Sequence, residues 1–143
     1  MPNYFDSSLV ISLLIQDTNA SKAASMWEDS SQSRVSSILL EGECLTVLRR
    51  LFQQHRRQLP KDWLKNAEET FEQMLKQINL KTLDASVIKV LRAEKSLAQC
   101  RSLDALHLAT LLYLQKFSDE KITLLSFDED MKRLSKKLKI PVA

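Results

Sequence analysis

The sequence predicts an α/β fold with a short, mainly parallel sheet, and three observations lead there. Short apolar runs alternate along the chain with longer stretches of helical period. Those stretches are long enough to be the crossover helices that parallel neighbours require. Asp6, Ser7, Asp84, Ser102 and Asp128 stand where helices should begin, ready to accept hydrogen bonds from unpaired N–H groups.

The elements follow in order. Asn3, Tyr4 and Phe5 read as a strand. Residues 7–16 read as a helix with Leu9, Leu13 and Leu14 along one side, and residues 20–29 as a second helix. Arg34, Val35 and Ser36 form a short extended segment. Residues 38–57 are a long helix that ends before Pro60. Residues 61–76 are amphipathic through Trp63, Leu64, Ala67, Phe71, Met74 and Leu75. Residues 78–82 are extended, and residues 84–97 and 102–117 helical. Residues 122–126 are the clearest strand, residues 128–138 a helix, and residues 140–142 a last short strand. No linker, repeat or low-complexity tract interrupts this order, so residues 1–143 are expected to be a single domain.

Composition excludes several functions. At 44% hydrophobic and 27% charged residues, the chain can bury a core and disorder is not expected. Its single glycine, Gly42, stands where average usage gives about ten. A phosphate-binding P-loop, a dinucleotide-binding turn and a G-x-S-x-G nucleophile elbow all need more glycine than that. The 21 basic and 18 acidic residues leave +3, a mild excess that permits a nucleic-acid partner without arguing for one. Cys44 and Cys100 form no C-x-x-C, which speaks against a disulfide scaffold or zinc ribbon and for free thiols in a reducing cytosol. The first apolar run is broken by Asp6, Ser12, Gln16 and Asp17, so no signal peptide is read there. No membrane span is expected either, and the expected location is cytoplasmic.

Four carboxylates do not fit a solvated polar face. Asp6 and Asp128 each follow a strand and open a helix. An Asp there is most simply an N-cap. It also stands at the carboxyl end of a strand, where open α/β sheets bind ligands. Asp104 lies in a helix that is apolar nearly all round, from Leu103 to Leu112. A carboxylate there needs a partner, and Arg101, His107 or a metal would each serve. Glu41 and Glu43 border the apolar arc of the long helix, and the helical wheel does not choose between them. His55 lies among Gln and Arg residues on a surface, and His107 reads as a satisfied core histidine. Clustered carboxylates without histidines or thiolates suit hard cations such as Mg²⁺ and Mn²⁺, which support phosphodiester hydrolysis. Arg49, Arg50, Arg56, Arg57, Lys61 and Lys65 form the densest basic region. A second follows near the C-terminus, from Lys132 to Lys139. Either is a solvated helix face or a phosphate-contacting surface.

Taken together, these motifs resemble the PIN-domain family, and within it the VapC-type ribonuclease toxins of bacterial toxin–antitoxin pairs. Tyr4-Phe5-Asp6-Ser7-Ser8 looks like the family's opening strand with its first acidic residue. Ser36-Ser37, then Glu43 and Leu48-Arg49-Arg50, look like its second block, an alignment that selects Glu43 over Glu41. The stretch from Arg101 to Ala109 is similar to the third block. Leu125-Ser126-Phe127-Asp128 is similar to the fourth, with Ser126-Phe127 where Thr-Tyr is common. The resemblance implies a three-layer α/β/α sandwich and a Mg²⁺ or Mn²⁺ site at Asp6, Glu43, Asp104 and Asp128. Ser8 and Ser126 would assist that site through hydroxyls, with Arg101 beside it. It further implies RNA as substrate, a homodimer and a cognate antitoxin. The alternative is a non-catalytic PIN-like module that binds RNA or a protein.

Overall fold

A computed structural model describes residues 2–30 and 33–143. Four strands, β1 (Asn3–Phe5), β2 (Arg34–Ser37), β3 (Asn79–Lys81) and β4 (Thr123–Leu125), form one sheet in the order β3-β2-β1-β4. Every pairing is parallel, with Tyr4 opposite Val35 on one side and Leu124 on the other. Helices α1 (Ser7–Ile15) and α2 (Ala20–Asp29) connect β1 to β2. Helices α3 (Leu39–Gln54) and α4 (Trp63–Leu75) connect β2 to β3. Helix α5 (Ala85–Ala93), a 3₁₀ turn (Lys95–Gln99) and α6 (Ser102–Gln115) carry the chain from β3 across to β4, and α7 (Glu129–Lys137) follows.

Strands β1, β2 and β4 are short and largely buried, as parallel strands under two helical layers must be, while the edge strand β3 has no buried residue. Side chains alternate across the sheet. Tyr4 and Leu124 enter a core with Val87, Leu97, Leu108, Leu111 and Met131, under α5, α6 and α7. Phe5 and Leu125 enter the opposite core with Leu9, Leu40, Cys44 and Phe71, under α1, α3 and α4. The result is the expected three-layer α/β/α sandwich.

Three boundaries differ from the sequence reading. The helix expected over residues 84–97 ends at Ala93, and Glu94 leaves helical geometry with ψ at 87°. Its carboxylate accepts a 2.7 Å bond from the Ser96 hydroxyl, and the chain re-enters the core at buried Leu97 as a 3₁₀ turn. Such local side-chain bonds compete with the helix ladder. The last strand is a single bridge between Leu124 and Val142. Pro141 lacks an N–H, so it gives only its carbonyl to Leu124, at 2.8 Å. Helix α3 stops at Gln54, before a turn in which Gln58 and Leu59 both donate to the His55 carbonyl.

With one glycine in the chain, Gln16 and Lys139 take the left-handed positions that follow α1 and α7, at φ 55° and 60°. Gly42 does no such service: its φ is not positive and it sits inside α3. A glycine there costs roughly 0.5–1 kcal/mol relative to alanine. Both cysteines are free, and burial pushes both thiols above their ordinary pKa.

Candidate active site

The strand order reverses at β1, whose neighbours β2 and β4 lie on either side. The crevice beyond the carboxyl ends of β1 and β4 is therefore the switch point of the sheet. Asp6 leaves β1 there and Asp128 follows β4. The backbone ties the two ends together, Asp6 N–H donating to the Leu125 carbonyl at 3.0 Å.

Asp6 occupies the N-cap position of α1, yet its side chain caps no backbone N–H. Its Oδ2 instead accepts the hydroxyls of Ser8, at 2.7 Å, and Ser126, at 2.8 Å. Each serine in turn accepts a backbone N–H from the segment after β4: Phe127 to Ser8 at 3.0 Å, Asp128 to Ser126 at 2.9 Å. Both hydroxyl protons are thus directed at one carboxylate oxygen, and Asp6 is fixed while 3% exposed. The cap reading holds for Asp128, which accepts from Met131 N–H at 2.8 Å. It also holds for Asp84, which accepts from Ser86 N–H. Ser7 and Ser102 are instead first helical residues.

Glu43 enters from α3, the opposite helical layer from α6. Its Oε1 lies 2.5 Å from Nε2 of His107 on α6. The Tyr4 hydroxyl lies 2.7 Å from Nδ1 of the same ring, which it meets edge to face. Burial first, then the charges of Asp6 and Glu43, push the Tyr4 pKa far up, so the phenol keeps its proton. Donation by that phenol to Nδ1 leaves Nε2–H for Glu43. His107 is satisfied, as its core position predicts, but by two groups remote in sequence and not by Asp104. Glu41 is not part of this chain of bonds, and His55 is exposed.

Asp104 is half-buried in the first turn of α6. It pairs with neither Arg101 nor His107; Arg101 is exposed at the N-cap position of α6. Its carboxyl is pushed up to about 6, by burial first and then by Asp128, Asp6 and Glu43, with His107 opposing. The four carboxylates therefore lie within electrostatic reach of one another. Glu129 and Asp130 are drawn away into ion pairs with Lys132 and Arg133, both at 3.0 Å. Among the described residues no three acidic, His or Cys side chains stand as a ready-made metal cage. The donor set is nonetheless all oxygen and negatively charged, which fits a hard divalent cation and no soft one. Of the basic residues, Arg49 is engaged by Glu68 at 2.7 Å and Arg56 lies over Phe52.

A parallel α/β/α sandwich with acidic side chains converging at its switch point defines a class, that of carboxylate-centred α/β domains. The family is then direct: the sequence matches the PIN domain over residues 4–137, and the chain belongs to the PIN-domain family. No curated protein matches it. Family membership points to nuclease activity, and PIN domains are generally metal-dependent and consistent with RNA binding. Among the described residues no helix is long and apolar enough to cross a membrane.

Sequence offers His107 as a partner for Asp104, whereas its carboxylate partner is Glu43, and Tyr4 stands in the sequence only as a strand residue. The signal was slight: Tyr4 precedes Asp6 by two residues in a strand, and His107 follows Asp104 by three in a helix.

Proposed function

We propose that the chain is a metal-dependent endoribonuclease of the VapC toxin type, a single catalytic domain acting in the cytoplasm as one half of a toxin–antitoxin pair. Asp6, Glu43, Asp104 and Asp128 would hold Mg²⁺ or Mn²⁺, and Glu43 either ligates directly or orients the attacking water. The observation that carries this reading is the convergence on one crevice of four carboxylates from four different elements, Asp6 after β1, Glu43 on α3, Asp104 on α6 and Asp128 after β4. A bound divalent ion would lower the pKa of the attacking water and stabilise charge on the scissile phosphate.

The chain's own residues have distinct tasks. Ser8 and Ser126 fix the orientation of Asp6. His107 and Tyr4 fix that of Glu43. Arg101, exposed beside Asp104, would meet the RNA phosphate. A homodimer and an antitoxin partner accompany the reading as properties of VapC-type relatives.

The test is RNA cleavage with Mg²⁺ or Mn²⁺. Asp6→Asn and Asp104→Asn should each abolish it while leaving the circular dichroism spectrum native and the fold cooperative, and a chelator should stop the parent. Parent-like cleavage by Asp104→Asn would refute the assignment. The alternative is a non-catalytic module that binds RNA or a protein. On that reading RNA binds with or without chelator and is never cut.

A further inference from the structure

Gly42 has no structural reason to be glycine. Its φ is not positive, and a Cβ built on it would meet nothing within 4 Å. A side chain would cost nothing in packing and would strengthen the N-terminal end of α3. What Gly42 does is line a cavity of about 520 Å³ that also contains Glu43. That volume is in the range of small-ligand clefts, ~300–1,000 Å³. Its walls include Ile38, Val47, Leu83 and Leu103, three of which keep more than a third of their surface exposed: Ile38 38%, Leu83 37% and Leu103 47%. Arg50 lines the same cavity and, among the described residues, forms no ion pair, unlike its neighbour Arg49.

An apolar slot, a missing side chain, a free guanidinium and a site carboxylate in one cavity match the parts of a nucleotide next to a cleaved bond. We propose that this cavity is a nucleobase subsite, in which the base flanking the scissile phosphate lies against α3 at Gly42 and Arg50 meets its backbone phosphate. The inference rests on the nuclease reading and adds where the substrate base is held. The walls are aliphatic and would cover a base of any identity by apolar contact, so the subsite selects for an unstacked, single-stranded nucleotide over a paired one.

The probe is a labelled single-stranded oligoribonucleotide whose cut position is mapped first, then remade with an abasic site at each flanking nucleotide. The parent should lose roughly tenfold in kcat/KM at one abasic position. Gly42→Ala should melt higher than the parent. Gly42→Leu should stay folded, keep the parent's Mn²⁺-induced rise in Tm and raise KM roughly tenfold with kcat little changed. It should also cut the intact and abasic RNA equally well. If the parent cuts RNA and Gly42→Leu cuts it with the same KM, the subsite is overturned while the nuclease reading stands. If the parent cuts no RNA, both fall. If Gly42→Leu instead converts a sedimenting dimer to monomer, the face joins two copies of the chain and the subsite is overturned.

Discussion

Side chains in the crevice are of two kinds, those with dedicated supports and one without. Asp6 is gripped by two hydroxyls and Glu43 by an imidazole that is itself gripped by a phenol. Asp104 has no such support, and burial first, then the charges of Asp128, Asp6 and Glu43, push its carboxyl up to about 6 from an ordinary 3.8. The folded protein therefore binds more protons than the unfolded chain between those two values, and stability falls as pH rises through that window. The penalty is absent below 3.8 and complete above 6. Asp104→Asn should consequently raise Tm in chelator at pH 7, with the gain shrinking toward nothing at pH 4. A gain that is the same at both pH values would show that the cost of ionising Asp104 is not its cause. Asp104 was legible in the sequence as a carboxylate on an apolar helix. Its company was not: Glu43 and His107 are 64 residues apart, and a helical wheel sees only its own turn. Asp6 shows the converse. Its place after a strand favours a cap, and its actual bonds run to Ser8, two residues on, and to Ser126, which the strand order brings beside it.

Among the elements, α7 shows how one residue can serve fold and site together. Asp128 caps it through Met131 N–H, while its charge raises the Asp104 pKa. The two roles separate by chemistry, because Asn caps a helix about as well as Asp. Asp128→Asn should keep the parent's Tm in chelator, or exceed it by relieving repulsion, and lose cleavage. Asp128→Ala should lose cleavage too and also about 1 kcal/mol of stability, read from urea melts. Equal stability of the two variants would show that the cap contributes nothing. All four strands and seven helices were legible from apolar runs and helical period. Two of the three misread boundaries share one cause, a local competitor that period does not record. Glu94 takes a bond from Ser96, and Pro141 withholds an N–H from the sheet. The glycine deficit was legible as an exclusion of phosphate loops, but not as the burden it places on Gln16 and Lys139.

At the scale of the whole molecule, the topology forces like charges together. Placing β4 beside β1 brings Asp128 to Asp6, although they are 122 positions apart in the chain. Glu43 comes from the helical layer that packs on Phe5, and Asp104 from the layer that packs on Tyr4, so the crevice collects carboxylates from both faces. Each carboxylate is delivered by a different element, so the repulsion is built into the fold. A divalent cation relieves it at once, and a ligand that binds only the folded state stabilises by about 2.7 kcal/mol at one hundred times its Kd. For a domain of this size that corresponds to a rise in Tm of roughly 5–10 °C. Mn²⁺ alone, without RNA, should therefore raise the Tm of the parent by that order, and chelator should reverse it. Asp6→Asn removes the best-held member and should abolish most of the rise. A parent that melts at the same temperature with and without Mn²⁺, or an Asp6→Asn protein that gains as much as the parent, would mean that the crevice does not collect its carboxylates for a metal.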